Sequence, residues 1–180
     1  MEKENLIKNG GTEMPELILM VGTPGSGKST YAKSFYDETK DIYISRDEIR
    51  FKLLKENEDY FSKEKEVFDT FVSFINSSLE IAKRYVIADA THLSYSSRMR
   101  VMSRIKNRKI TVNCIVMDVP LEIALERNKQ RTGRSFVPET ALKNMYESLS
   151  YPEKGETIDK VIYINEDGII TKRERLGGKL

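Results

Sequence analysis

The stretch VGTPGSGKSTYA, from Val21 to Ala32, carries the strongest structural signal in this chain. It contains the pattern G-x-x-x-x-G-K-[ST], which begins at Gly22 and ends with Gly27, Lys28 and Ser29. An apolar run precedes it and a helical pattern follows it, which is the strand–loop–helix context that the motif requires. Glycines let backbone N–H groups turn toward phosphate oxygens, and the helix N-terminus adds partial positive charge. The stretch therefore predicts a loop that holds the phosphates of a nucleoside triphosphate.

Two residues of this loop have separate predicted roles. Lys28 is expected to bridge the β- and γ-phosphates, and the Ser29 hydroxyl to hold Mg²⁺, because a hard cation prefers oxygen ligands. A chance glycine-rich turn is the alternative, but the strand, the helix and the lysine–serine pair are all in register. The predicted nucleotide-binding residues are Gly22, Thr23, Pro24, Gly25, Ser26, Gly27, Lys28, Ser29 and Thr30.

The composition limits the classes of protein to consider. The 180 residues include 30 Lys and Arg against 28 Asp and Glu, for a net charge of +2, so any contact with nucleic acid is expected to be local. A single cysteine, Cys114, excludes an intramolecular disulfide and a zinc cluster and favours a reducing compartment. The N-terminal sequence has no apolar leader, and no apolar run approaches the roughly 18 residues of a membrane span. We expect a cytoplasmic protein that does not enter a membrane.

Strand and helix patterns alternate along the chain. The apolar runs ELILMV, DIYIS, YVIADA, KITVNCIVMDV and KVIYIN predict a sheet of five strands with helical patterns between them. Helical crossovers imply parallel pairing and a three-layer α/β fold. We expect one domain over residues 1–180, with flexible ends at about 1–14 and 172–180. Ligands of such a sheet bind beyond the carboxyl ends of its strands.

Asp47 and Arg50 follow the second predicted strand, in SRDEIR. They are three residues apart and share a face if a helix begins there. Asp47 could then accept the proton of a hydroxyl group while Arg50 binds an anion on the same substrate. A helix-capping carboxylate beside a surface arginine is the alternative, and this stretch leaves both open.

Asp89 ends the strand VIAD, near the predicted phosphate loop. A carboxylate at this place commonly serves Mg²⁺ or its water ligands, whereas the alternative is a plain strand-terminating aspartate. His92, the single histidine, follows closely. We expect it to have a polar role in the loop rather than a catalytic one.

A third group of charges lies in ERNKQRTGRSFVP. Arg127 and Arg131 are four residues apart on one face of a predicted helix, and Arg134 stands beside Gly133, a plausible hinge. Guanidinium groups this close repel one another unless an anion joins them, so a lid at about 127–150 that closes over phosphates is one interpretation. A solvated basic face is the alternative.

In chain order, these stretches make the sequence resemble the P-loop polynucleotide 5′-kinase family, the kinase domains of phage and bacterial end-healing and RNA-repair enzymes. The resemblance runs from about Glu16 to Asn165 and rests on GTPGSGKST, SRDEIR, VIADATH and RNKQRTGRSFVPETALKNMYESL. It implies a P-loop kinase fold with a parallel sheet under a small helical lid. It also implies ATP and Mg²⁺ as cofactors and nucleic-acid 5′ ends as the substrate.

The resemblance implies roles for the matching residues. Asp47 would be the general base that activates the 5′-hydroxyl for attack on the γ-phosphate of ATP, and Arg50 would contact the phosphate after the terminal nucleoside. Lys28, Arg127 and Arg131 would bind the nucleotide and stabilise the phosphoryl group in transfer. Ser29 and Asp89 would lie near Mg²⁺. His92 stands where many relatives carry asparagine.

Two other classes stay open. A kinase for a sugar, nucleoside or antibiotic would use the same loop but would favour uncharged groups where Arg50 stands. A nucleotide-binding switch or regulatory ATPase would need a water-positioning residue, to which the sequence does not point. The aromatic residues Phe51, Tyr60 and Phe61 could stack on a terminal base or pack within the fold. The oligomeric state is not predicted.

Overall fold

The computed structural model of the protein describes residues 14–178. In this part of the chain a single sheet has the strand order β2-β3-β1-β4-β5-β6. Strands β1 to β5 are parallel to their neighbours, and β6 is antiparallel to β5. The strands are β1 (Glu16–Val21), β2 (Ile42–Ser45), β3 (Tyr85–Asp89), β4 (Val112–Met117), β5 (Lys160–Ile164) and β6 (Ile170–Arg175).

Helices cover both faces of the sheet. They are α1 (Lys28–Phe35), α2 (Arg46–Leu53), α3 (Glu64–Ser78), α4 (Tyr95–Met102), α5 (Leu121–Lys129) and α6 (Glu139–Glu147). The central strand β1 sends Leu17 and Leu19 into a cluster with α3 and α4, while Ile18 and Met20 join α1 on the other face. Successive strand residues point to opposite faces, so a strand buried on both sides reads as a continuous apolar run. The predicted three-layer α/β fold is confirmed.

The sheet contains one strand more than the five predicted. The sequence of β6, ITKRER, is mostly charged and exposed, so it carries no apolar signal, as is common for an edge strand. Arg175 pairs with Lys160 of β5, and the Tyr163 hydroxyl donates to Glu174 at 3.0 Å. Residues 172–175, which were expected to belong to a flexible end, are therefore part of the sheet. The predicted flexible ends at 1–13 and 179–180 lie outside the described residues.

A buried ion pair fixes the loop that follows β3. Arg98 of α4 and Glu156 are bonded twice, at 2.6 and 2.7 Å, and the side chains of both are fully buried. Arg98 also donates to the carbonyl groups of His92, Leu93 and Ser150, at distances between 2.8 and 3.2 Å. The guanidinium thus satisfies its donors while it ties three segments together, as a buried charge requires.

Among the described residues, no helix combines the length and the apolar composition needed to cross a membrane.

Candidate active site

The loop between β1 and α1 needs glycine at two of its turns. Gly25 and Gly27 have φ values of +81° and +93°, in the left-handed region that residues with a side chain rarely adopt. A Cβ atom on Gly25 would lie 2.4 Å from the main-chain oxygen of Ala124 in α5. No side chain fits there, because α5 packs directly against the loop.

The polar side chains inside this loop are incompletely satisfied. Lys28 is 9% exposed, and its ammonium group donates to the Thr23 carbonyl at 2.8 Å. Burial lowers the pKa of Lys28 to about 8. The Ser26 hydroxyl is buried, with no hydrogen-bond partner in the described part of the chain. A bound phosphate would provide the anion that Lys28 lacks and an acceptor for Ser26, so the loop fits a nucleotide.

Ser29 and Asp89 meet at the start of α1. Both Ser29 Oγ and the Tyr43 hydroxyl donate to Oδ2 of Asp89, each at 2.5 Å. Burial and the Asp89 carboxylate raise the pKa of Tyr43. In the described residues no three His, Cys, Asp or Glu side chains gather as a metal site. The oxygens of Ser29 and Asp89 suit Mg²⁺, which typically takes its other ligands from substrate phosphates and water.

Asp47 lies in the first turn of α2 but does not cap this helix. The cap is Ser45, whose side chain accepts a hydrogen bond from the Glu48 amide. The Asp47 side chain is exposed, and its Oδ1 accepts a hydrogen bond of 2.9 Å from the Tyr60 hydroxyl. The capping alternative for Asp47 is therefore wrong.

Arg50 is not a surface arginine either, because only 4% of the residue is exposed. Its guanidinium lies 2.7 Å from the Glu64 carboxylate, donates to the Tyr60 carbonyl at 3.1 Å, and is 4.4 Å from the centre of the Tyr60 ring. Its Nε is buried and has no hydrogen-bond partner among the described residues. A carboxylate and an aromatic ring thus hold a planar cation that keeps one donor unused.

The arginines after β4 divide between two places. Arg127 donates to the Glu166 carbonyl at 2.8 Å, and another nitrogen of its guanidinium lies 3.6 Å from where a Cβ of Gly27 would be, beside the phosphate loop. Arg134 instead donates to the carbonyl groups of Lys55 and Glu56, in the segment after α2. Arg134 therefore contacts the segment that follows α2, and the grouping of three arginines suggested by the sequence is only partly present.

An asparagine closes the loop that carries Arg134. The side chain of Asn128 donates to the Val137 carbonyl at 2.7 Å and accepts from the Val137 amide at 3.2 Å. Asn128 is 2% exposed. The segment from 128 to 137 therefore has fixed ends, although half of its residues are exposed.

His92 is buried in the loop that follows β3. It is 3% exposed, and its Nδ1 donates to the Met20 carbonyl at 2.9 Å, so the neutral ring carries its proton there. Burial lowers the pKa of His92 to about 4. The ring centre lies 6.1 Å from that of Phe71. This histidine therefore packs against Phe71 and ties the loop to β1.

Asp89, Asp47 and Arg131 all lie near enough to Lys28 to act on its charge. Burial lowers the pKa of Lys28, the negative charges of Asp89 and Asp47 raise it, and the positive charge of Arg131 lowers it further. These residues come from β3, α2 and the segment after α5. The structure thus brings the predicted base, metal ligand and phosphate-binding residues to the carboxyl edge of the sheet, as expected for this fold.

Three polar contacts in the site are not among the sequence-based predictions. They are made by Tyr43, Tyr60 and Glu64, for which the sequence predicts no polar role in the site. Their hydroxyl or carboxylate groups contact Asp89, Asp47 and Arg50 respectively. In all three cases the partner is distant in sequence, so no local pattern marks it.

Comparison with known proteins identifies the family. A model described as an AAA domain matches residues 17–152, and the chain belongs to this family. One relative is the L-seryl-tRNA(Sec) kinase of Methanococcus maripaludis, 30% identical over 141 residues, which are 76% of this chain and 53% of the relative. A protein of Autographa californica nuclear polyhedrosis virus, assigned as a bifunctional polynucleotide kinase/RNA ligase, is 28% identical over 86% of this chain and 25% of its own length. The chain thus spans about half of the length of the first relative and about a quarter of the length of the second.

A solved structure supports the same assignment. A chain of the Pnkp1/Rnl/Hen1 RNA repair complex superposes with a TM-score of 0.64 at 26% identity, over 79% of this chain and 46% of that one. The predicted P-loop kinase fold and the predicted resemblance to polynucleotide kinases are confirmed.

Proposed function

We propose that this domain transfers the γ-phosphate of ATP to the 5′-hydroxyl of a DNA or RNA strand, with Asp47 as the general base. One observation carries the proposal. Tyr60 joins Asp47 to Arg50 through its hydroxyl and its carbonyl, and the charge of Asp47 partly offsets the burial that lowers the pKa of Lys28. The candidate base therefore lies between a phosphate-binding lysine and an arginine suited to a second anion.

The residues around the loop would serve the donor nucleotide. Lys28, Arg127 and Arg131 would bind the β- and γ-phosphates and stabilise the charge on the group in transfer. Ser29 and Asp89 would hold Mg²⁺ directly or through water, and the ion would neutralise charge on the phosphate oxygens. The loop from Gly22 to Thr30 would hold the phosphates through its backbone N–H groups.

The residues of α2 would serve the acceptor. Asp47 is exposed and can accept the proton of an incoming hydroxyl, because only its Oδ1 takes a bond from Tyr60 among the described residues. The unused Nε of Arg50 suits the phosphate that follows the terminal nucleoside. A buried cation at this place favours an anionic acceptor over an uncharged sugar.

The relatives support a hydroxyl kinase but differ in acceptor. One is named as a polynucleotide kinase/RNA ligase, and another, at higher identity, as a kinase for the seryl group on a tRNA. A second candidate function is therefore transfer to an alcohol other than a strand end. In this chain, Arg50 is the residue that favours a strand end over other alcohols as the acceptor.

The test is transfer of radiolabelled γ-phosphate from ATP with Mg²⁺. The acceptors are 5′-hydroxyl DNA and RNA oligonucleotides, a nucleoside 3′-monophosphate, the bare nucleoside, seryl-tRNA and a panel of sugars. We expect label on the oligonucleotides and on the 3′-monophosphate but not on the nucleoside. Label only on seryl-tRNA, a sugar or the nucleoside would contradict the proposal and move the protein to the second candidate.

A further inference from the structure

A second group of cations lies beside the residues of α2 that the proposed function assigns to the acceptor. Phe68 of α3 is 3% exposed, and two guanidinium groups lie over its ring. The guanidinium carbon of Arg100, from α4, is 4.0 Å from the ring centre, and that of Arg46, the first residue of α2, is 5.5 Å away. Stacking on an aromatic face holds an arginine in place while its N–H edge stays available.

The charges of this group are not balanced. Arg46 and Arg50 both pair with Glu64. The pKa of Arg46 is lowered first by burial and then by the charges of Arg50 and Arg100, while Glu64 raises it. Three guanidiniums against one carboxylate leave two formal positive charges.

The group also keeps an unused donor. Nε of Arg46 is buried and finds no hydrogen-bond partner in the part of the chain that the structure describes. Arg100 is exposed, and it makes no ion pair among the described residues. Uncompensated cations with an unsatisfied N–H are the features of a site for an anion.

We propose that Arg46 and Arg100 bind the next phosphate of a polynucleotide acceptor, one nucleotide beyond the phosphate assigned to Arg50. This inference rests on the proposed function. Arg46 and Arg50 are one turn apart on α2, and Asp47 lies between them in sequence, so the cationic group continues the acceptor site along the strand. An acceptor with two phosphates gains a contact that a nucleoside 3′-monophosphate cannot make.

The test compares acceptors that carry one, two or more phosphates. kcat/KM is measured with a nucleoside 3′-monophosphate, with a dinucleotide that carries a 3′-phosphate, and with a longer oligonucleotide. The variant is Arg100→Met, which keeps an unbranched chain over Phe68 but removes the charge. The matched control is Arg173→Met, because Arg173 lies on β6, at the opposite edge of the sheet from β2.

We expect Arg100→Met to lower kcat/KM about tenfold for the dinucleotide and the oligonucleotide and to leave the 3′-monophosphate unchanged. The dependence of oligonucleotide KM on salt should also become shallower, by about 0.7 in the log–log slope for one lost phosphate contact. Arg100→Lys should restore part of the loss, and Arg173→Met should change none of these values.

Two results would overturn the inference. An equal loss of kcat/KM for all three acceptors would mean that Arg100 acts by shaping the site. An unchanged kcat/KM for every acceptor would mean that Arg100 does not contribute. If the wild-type protein labels no nucleic acid, the proposed function fails instead. Fluorescence anisotropy with a 5′-hydroxyl oligonucleotide then tests Arg100 independently, and equal affinity of wild type and Arg100→Met would contradict the second phosphate site.

Discussion

The hydroxyl of Tyr60 donates a hydrogen bond of 2.9 Å to the carboxylate of Asp47. The carbonyl of the same tyrosine accepts a bond of 3.1 Å from Arg50, and its ring lies against the guanidinium. Burial, followed by the charge of Asp47, raises the pKa of Tyr60 to about 12. Tyr60 therefore remains a donor throughout the physiological range, and it sets the distance between the candidate base and the candidate phosphate-binding arginine.

Tyr60→Phe should lower kcat while KM for ATP stays unchanged. The substitution removes one hydroxyl and keeps the ring over Arg50, so the loss comes from a less well oriented Asp47. We expect about a tenfold decrease, the size of one charge-assisted hydrogen bond. Steady-state kinetics with Tyr95→Phe, a change at an exposed tyrosine, provides the control. An unchanged kcat would show that Asp47 is oriented without this bond.

Asp47→Asn should nearly abolish phosphoryl transfer. An amide cannot take the proton of the acceptor hydroxyl, and losing a general base costs about 10²- to 10⁴-fold in rate. The affinity for ATP, measured by calorimetry, should be retained because Asp47 does not belong to the phosphate loop. The neighbouring exposed carboxylate offers a matched control, Glu48→Gln, which should keep full activity. Full turnover by the Asp47 variant would remove this residue from the role of base.

Gly25→Ala should disrupt both the fold and nucleotide binding. The new Cβ would lie 2.4 Å from the Ala124 oxygen at a φ of +81°, so either α5 or the loop must move. We expect the free energy of unfolding, measured with urea, to fall by about 2–4 kcal/mol. Gly177→Ala is a control that adds backbone strain without a steric clash, since Gly177 has a φ of +71° with open space around it. That control should cost only about 1 kcal/mol.

His92 should make the protein less stable as the solution becomes acidic. Its pKa of about 4 in the folded protein lies below the value of about 6.5 in an unfolded chain. Between these values the unfolded state binds more protons. The contribution of His92 is therefore complete above pH 6.5 and is lost as the pH falls toward 4, by at most about 1.4 kcal/mol per pH unit.

The measurement uses the fact that this chain has one histidine. The imidazole signals in an NMR titration should not shift between about pH 5.5 and 8. Urea unfolding should give a flatter dependence of stability on pH for His92→Asn than for the wild type. A midpoint near 6.5 in the folded protein would mean that the ring is open to water.

The sequence predicted the parts of the site that depend on local chemistry. The glycines of the phosphate loop, and the carboxylates Asp47 and Asp89 at strand ends, follow from backbone conformation and from the topology of parallel sheets. The edge strand β6 could not be predicted in this way, because its charged residues give no apolar pattern. The partners of Arg134 are main-chain oxygens of residues 55 and 56, which any sequence at those positions would provide. Such contacts depend only on how the segments pack.

The bond from Arg134 to the segment after α2 has a thermodynamic consequence. It joins the loop after Arg127 and Arg131 to the segment that leads to Tyr60, so neither segment moves without a cost to the other. Under the proposed function, the free energies of binding ATP and the strand end become linked through this contact. Linkage is reciprocal: whatever factor ATP adds to the affinity for the acceptor, the acceptor adds to the affinity for ATP. Arg134 touches neither reacting group in the proposed mechanism. It would then set the size of the coupling free energy between the two substrates.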